Sequence, residues 1–413
     1  MKNKNNNLWV MFLSLGTMFF MFSITIDVTW LKLLIISISL LHYIIAIIFA
    51  AKDYGNKKQN NKPYMQSFPP PPPPPTLNFK HQTINFSKMK HLERALDGQN
   101  QIWKYIVMFL VAFLGGQMIG SIPLVTVTFI KMITSGTVGA KPESIMDFSA
   151  YGISDNVGFA LLIFAFVATF FTFALLIKPF HKRTVIETIN GRNYIRKNRI
   201  WMGMLVWGII TIVGLIISLL TAQEGDIEVR FNIAKLIPLL LIVLILLPFQ
   251  TTIEEIFFRG YLTQGVAART KNRWIALIVV SLLFGFMHIA NPEVKEFGFW
   301  LSMPQYILMG LLLGLVSILD DGIEIAIGIH FINNAFGALL TTHSSSIFKT
   351  DAIFKFNKVD PKFDLISISI ATIIAFVVFA KIYKWDFSIL NKKVEIAPPP
   401  TPTQLYAENP TVE

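Results

Sequence analysis

The stretch 236-LIPLLLIVLILLPFQTTIEEIFFRG-260 carries no charge from Leu236 to Ile253 and then sets two glutamates and an arginine within six residues. An uncharged run of that length is a membrane-span signal, because a helix needs roughly 20 mostly apolar residues to cross the hydrocarbon core. The same signal recurs along the chain. Of 413 residues, 53% are hydrophobic and only 15% charged, with a mean hydropathy of +0.56, which takes the chain out of the ordinary globular class. About ten windows satisfy the length criterion, near 8–26, 30–50, 102–128, 157–178, 201–222, 234–253, 273–290, 301–319, 323–341 and 364–384. Backbone groups find no partners in lipid, so these windows predict helices and an all-α, polytopic membrane protein.

Basic residues gather in alternate loops. Lys52 to Lys62, the segment 178-KPFHKRTVIETINGRNYIRKNR-199, and Arg269, Lys271 and Arg273 are placed in the cytoplasm by the positive-inside bias, whereas 223-QEGDIEV-229 and 141-KPESIMD-147 are mixed or acidic. Ten crossings then leave both termini cytoplasmic. The loop 320-DDGIE-324 is the misfit, acidic on the side expected to be basic. Topology therefore accounts for the net charge of +11, and with no aromatic-basic motif beside it no nucleic-acid partner is expected. Cysteine is absent, which excludes disulfides, thiolate metal sites and a cysteine nucleophile.

The chain divides by composition. Residues 1–50 hold two N-terminal spans, the first read as a retained anchor because no small-residue cleavage site follows it. Residues 51–101 form a polar cytoplasmic linker around 69-PPPPPPP-75, a stiff polyproline II rod that serves as a spacer, with a proline-recognising partner as the alternative role. Within it, 87-SKMKHLERALDG-98 is expected to lie on the membrane surface as a short amphipathic helix. Residues 102–384 are the eight-helix membrane core, and 385–413, with 398-PPPTP-402, a disordered cytoplasmic tail. Lys32 and Lys104 lie near enough to helix ends to snorkel.

Ionisable residues at membrane depth are costly and mark function by default. They cluster in sequence: Glu254, Glu255 and Arg259 follow the uncharged run, and the last third carries His288 in 284-FGFMH-288 and His330 and Asn334 in 330-HFINN-334. Glu255 and Arg259 are four apart and meet side by side on a helix, while Glu254 is turned by about 100° and can face elsewhere. His330 and Asn334 share a face by the same spacing, and Phe284 can flank His288. One carboxylate, two imidazoles and a carboxamide in a dry cavity make a hydrolytic site without a serine or threonine nucleophile. Burial moves a carboxylate toward the range in which it accepts a proton from water. The bland alternative for each motif taken alone is a structural clamp or a bonded core histidine. A zinc site of Glu254, His288 and His330 is the chemical alternative, but the histidines lie on separate helices and lack the HExxH spacing.

The ordered set EExxxR at 254–259, FxxxH at 284–288 and HxxxN at 330–334 resembles the CAAX prenyl protease type 2 family, which includes the bacteriocin-processing and self-immunity (Abi, or CPBP) membrane proteins. The resemblance covers about 234–341, with 102–384 fitting the family's eight-helix core. It implies a glutamate-type intramembrane endopeptidase in which Glu254 and His288 activate water and His330 and Asn334 stabilise the oxyanion. Glu255, Arg259 and Phe284 are then supporting residues, no cofactor is needed, and the partners are the bilayer and a peptide or membrane-protein substrate. The two N-terminal spans and the polyproline linker lie outside that core. Bacterial relatives process or resist peptides or act as scaffolds, so a non-catalytic scaffold or bacteriocin-immunity factor is the alternative. The Asn-, Lys- and Ile-rich composition points to a bacterial cytoplasmic membrane.

Overall fold

In the computed structural model, residues 91–136 and 147–395 are described, so the two N-terminal spans and the polyproline run lie outside the described residues. The uncharged runs fold as helices. Among the described residues six are long and apolar enough to cross a membrane: α1 (Ile102–Thr134), α2 (Asp155–His181), α4 (Lys197–Thr221), α5 (Ile233–Thr270), α8 (Phe299–Leu319) and α10 (Pro361–Tyr383). The protein is an all-α integral membrane protein. Between these run the short α3 (Val185–Ile189) and α7 (Pro292–Phe297).

Two expected spans are shorter than predicted. Helix α6 (Arg273–Phe286) has 14 residues and α9 (Glu324–Leu339) has 16. At about 1.5 Å per residue neither matches the ~30 Å hydrocarbon thickness. Their apolar windows overran the helices at identifiable stops. Beyond Phe286 the chain turns through 287–290 before Pro292 starts α7, and past Leu340 it enters a strand. Helix α6 ends within the second motif, leaving His288 in the turn that follows, whereas α9 carries the third and is walled in by longer neighbours.

Helix α5 is also less regular than a simple span. It breaks at Leu246, just before Pro248, and winds into a π-helical turn at Ile256–Leu262. Proline has no N–H for the ladder, and π-turns loosen it locally. One carbonyl within that turn, Arg259 O, accepts from Nε2 of His91 at 3.2 Å.

That contact corrects the expected surface helix. Among the described residues of that segment, 91–98, a 3₁₀ turn, Glu93–Asp97, forms, and His91, Leu92, Arg94 and Ala95 are buried in the fold rather than lying on a membrane surface. Lys104 does not snorkel either, since it is buried with its Nζ donating to Phe180 O at 2.7 Å. Residues 385–394, expected to begin a disordered tail, are ordered. A 3₁₀ turn at Phe387–Asn391 is flanked by buried Trp385 and Val394.

The misfit acidic loop is answered here. Asp320 takes Arg196 Nη1 at 2.9 Å and Arg199 Nε at 3.2 Å, Glu324 takes Arg196 Nη2 at 2.5 Å, and Trp385 donates to Asp320 at 3.2 Å. The loop sits on the basic side because it neutralises the basic loop. At the other end of the bundle lies a small sheet of β1 (Ile227–Val229), β2 (Thr341–His343) and β3 (Phe354–Phe356), in the order β1-β3-β2, with β1 antiparallel and β2 parallel to β3. Helices α4, α10 and the first half of α5 present Leu205, Ile209, Ile370, Ile373, Leu241 and Ile245 outward. Such exposed apolar rows suit lipid.

Candidate active site

Helix α9 reaches deep into the bundle because two glycines let it lie directly on α4. A Cβ on Gly328 would collide with the Ile200 carbonyl, and one on Gly203 with the Ile325 carbonyl. Two residues past Gly328 comes His330, buried and facing α5. The C-terminal end of α6 closes the third side and α8 the fourth. Between them is a cavity of about 600 Å³, lined among others by Gln250, Glu254, His288, Tyr306, His330 and Asn334. The structure therefore brings together all four residues proposed for chemistry.

The two glutamates have separate environments. Glu255 is fully buried, and its Oε1 accepts from Arg259 Nη1 at 2.9 Å, the expected i, i+4 pair. The same oxygen faces His330 Nδ1 at 2.7 Å, a contact that spacing could not reveal because it crosses between helices. The Arg259 guanidinium lies over the Phe284 ring at 3.9 Å, so Phe284 supports the arginine as well as the histidine. Glu254 instead lines the cavity. Its Oε1 accepts from Gln250 Nε2 at 2.8 Å, while its Oε2 stands 3.7 Å from His330 Nε2, too far for a hydrogen bond and open to the cavity.

His288 lies just past the end of α6, in the turn, with Nδ1 at 2.8 Å from the Phe284 carbonyl. A carbonyl only accepts, so Nδ1 carries the hydrogen and the neutral ring presents Nε2 as an acceptor. Phe284 flanks the imidazole at 4.7 Å, as the spacing predicts, and Tyr306 of α8 stacks on it at 4.4 Å. Asn334 Nδ2 donates to Gln250 Oε1 at 3.0 Å. Gln250 and Tyr306 are the residues sequence reasoning missed. Gln250 had a legible signal, standing four residues before Glu254 in an apolar run. Tyr306 had none, since its partner lies in a separate segment of the chain, the turn after α6.

Toward the sheet the cavity is lined by Glu293, His343 and Asp364, and no Lys or Arg is among its described lining residues. Burial raises the Glu293 carboxyl above the usual range and lowers the His343 imidazole to about 4. Among the described residues no group of three or more His, Cys, Asp and Glu side chains is disposed to hold a metal ion.

Residues 235–336 match a family model described as type II CAAX prenyl endopeptidase Rce1-like. The chain is 29% identical over 304 residues to an uncharacterized protein, YyaK, of Bacillus subtilis (strain 168), a match covering 72% of this chain and 96% of that protein. No solved structure matches.

Proposed function

We propose, from the match of residues 235–336 to the type II CAAX prenyl endopeptidase Rce1-like family model, that the protein is an intramembrane endopeptidase hydrolysing a peptide bond of a membrane-associated protein or peptide. One observation carries the reading: Glu254, held by Gln250, turns its free oxygen into the cavity that His288, His330 and Asn334 also line.

In this reading Glu254 Oε2 takes a proton from water, and the water oxygen attacks the scissile carbonyl carbon. His288 Nε2 accepts the second water hydrogen as a hydrogen bond and orients the nucleophile. The carbonyl oxygen becomes an oxyanion and accepts from His330 Nε2–H and from the Nδ2–H of Asn334 that Gln250 does not use. Such donors are typically worth roughly 3 to 4 kcal/mol each. With Nδ1 of His330 donating to Glu255, donation from Nε2 requires hydrogen on both ring nitrogens. Glu255 and Arg259 cancel in charge, which leaves the Glu254 carboxylate to balance that imidazolium. Collapse of the tetrahedral species breaks the C–N bond, and Glu254 returns its proton to the leaving amine. Described lining residues that include carboxylates and no Lys or Arg suit a neutral or cationic segment better than one ending in a free carboxylate.

A comparison of membrane-protein termini in wild-type and Glu254→Ala cells tests the reading: a set of termini should vanish in the variant, and identical sets would sink the catalytic assignment. Repeating it with chelator reads the zinc alternative through Glu254, His288 and His330, which predicts loss on chelation. The scaffold or immunity alternative predicts an unchanged phenotype for His288→Ala and His330→Ala.

A further inference from the structure

Along one wall of the cavity and into α4 behind it runs a row of polar side chains that joins Glu254 and Asn334 to groups outside the proposed chemistry. Trp207 of α4, the largest fully buried side chain among the described residues, donates its indole Nε1–H to Asn333 Oδ1 at 3.1 Å. Asn333 Nδ2 donates to Asn334 Oδ1 at 3.1 Å, Asn334 Nδ2 to Gln250 Oε1 at 3.0 Å, and Gln250 Nε2 to Glu254 Oε1 at 2.8 Å. These are four consecutive hydrogen bonds across α4, α9 and α5.

The chemistry of the two ends fixes the direction of the row. An indole N–H can only donate and a carboxylate can only accept, while each carboxamide between them does one on either side. Turning over any one amide would set two donors or two acceptors face to face in this half-buried row, at the cost of an unmet polar pair. We propose that Trp207, Asn333 and Gln250 form a one-way hydrogen-bond relay that positions the oxyanion-facing N–H of Asn334 and the cavity-facing oxygen of Glu254. This rests on the peptidase reading for its consequence, although the relay itself does not. Trp207, Asn333 and Gln250 are positioning residues. Without the donor at Trp207, Asn333 loses the contact that tells its amide oxygen from its nitrogen, and Asn334 loses its orientation in turn. Without Gln250, Glu254 and Asn334 are no longer held to each other. Bonds in such a row polarise one another, so a change at one end is felt at the other.

Two measurements on the full-length protein test this separately from the peptidase reading. In lipid nanodiscs with ¹⁵N-labelled tryptophan, Trp207→Phe assigns the Trp207 indole signal. Glu254→Gln, which replaces the acceptor-only end, should then shift that signal while the other seven tryptophans stay in place. An unmoved Trp207 signal overturns the relay whether or not a substrate exists. The second measurement incubates isolated membranes at pH 5 to 8 and counts the termini that depend on Glu254. Gln250→Glu sets a carboxylate against Glu254 when ionised and a donor when protonated. Termini should therefore be lost at pH 8 and recovered toward pH 5, whereas Gln250→Leu recovers at neither. Trp207→Phe, which keeps an aromatic ring in the core, should slow their appearance by about 10²-fold, the size of effect expected for a misplaced group. Wild-type rates in Trp207→Phe, or a Gln250→Glu profile that follows wild type, overturn the positioning role. If wild-type membranes show no Glu254-dependent termini, the peptidase reading fails and the indole signal alone decides the relay.

Discussion

Arg259 shows what a single buried charge does in this molecule. Its guanidinium is held by Glu255 Oε1 and the face of Phe284, with Glu255 also oriented toward His330. Arg259→Met leaves a fully buried carboxylate without its counter-ion, a change that costs about 3 to 5 kcal/mol when one partner of a buried pair is removed. A melt of the variant in detergent should show it clearly less stable than Glu255→Gln/Arg259→Met, in which neither charge remains. His343 supplies a pH signature. Burial holds its imidazole at about 4 in the folded protein, against 6.5 in the unfolded chain. Between those values the unfolded chain binds more protons, so stability falls as pH drops from 6.5 toward 4. The melting temperature should decline over that window in wild type and lose much of that decline in His343→Gln. At this scale the sequence was most readable: the i, i+4 spacing showed that Glu255 meets Arg259 and that Glu254 is turned away from them.

Among the elements, the α4–α9 contact decides where the site lies. Gly203 and Gly328 allow the two backbones to touch, which sets His330 and Asn334 against α5. Gly328→Ala forces the helices apart, an overpacking that costs about 1 to 3 kcal/mol. It should lower the melting temperature and also slow the Glu254-dependent appearance of termini, since His330 lies two residues on. Melting loss without slowing would separate the packing from the site. Helix existence was legible from hydropathy, but helix ends were not. The windows at 273–290 and 323–341 overran because apolar side chains continue into a turn and toward a strand, where the backbone departs from the helix for reasons outside the local pattern.

For the whole molecule, the loops that share a face are identified by their ion pairs and an indole hydrogen bond. Residues 91–97, 192–199, 320–324 and 385–394 meet at one end, through Glu93 with Arg273, Asp321 with Arg192, and Asp320 with Arg196, Arg199 and Trp385. The strands and Glu224 belong to the other end. The native chain has no cysteine, so single cysteines report topology without background. With the basic end cytoplasmic, Glu224→Cys should react with an impermeant maleimide in intact cells and Asn193→Cys only after permeabilisation. The reverse pattern would invert the proposed orientation.

Sequence by itself determined the membrane class, the three motifs and the division between Glu254 and Glu255, because hydrophobic length and helical spacing are local quantities. Tertiary structure alone decided that His330 leans on Glu255, that Tyr306 stacks on His288, that Gln250 joins Glu254 to Asn334, and that an acidic loop belongs on the basic side. Each of these joins residues on different helices or loops, and no periodicity within one helix records which face of another it will meet.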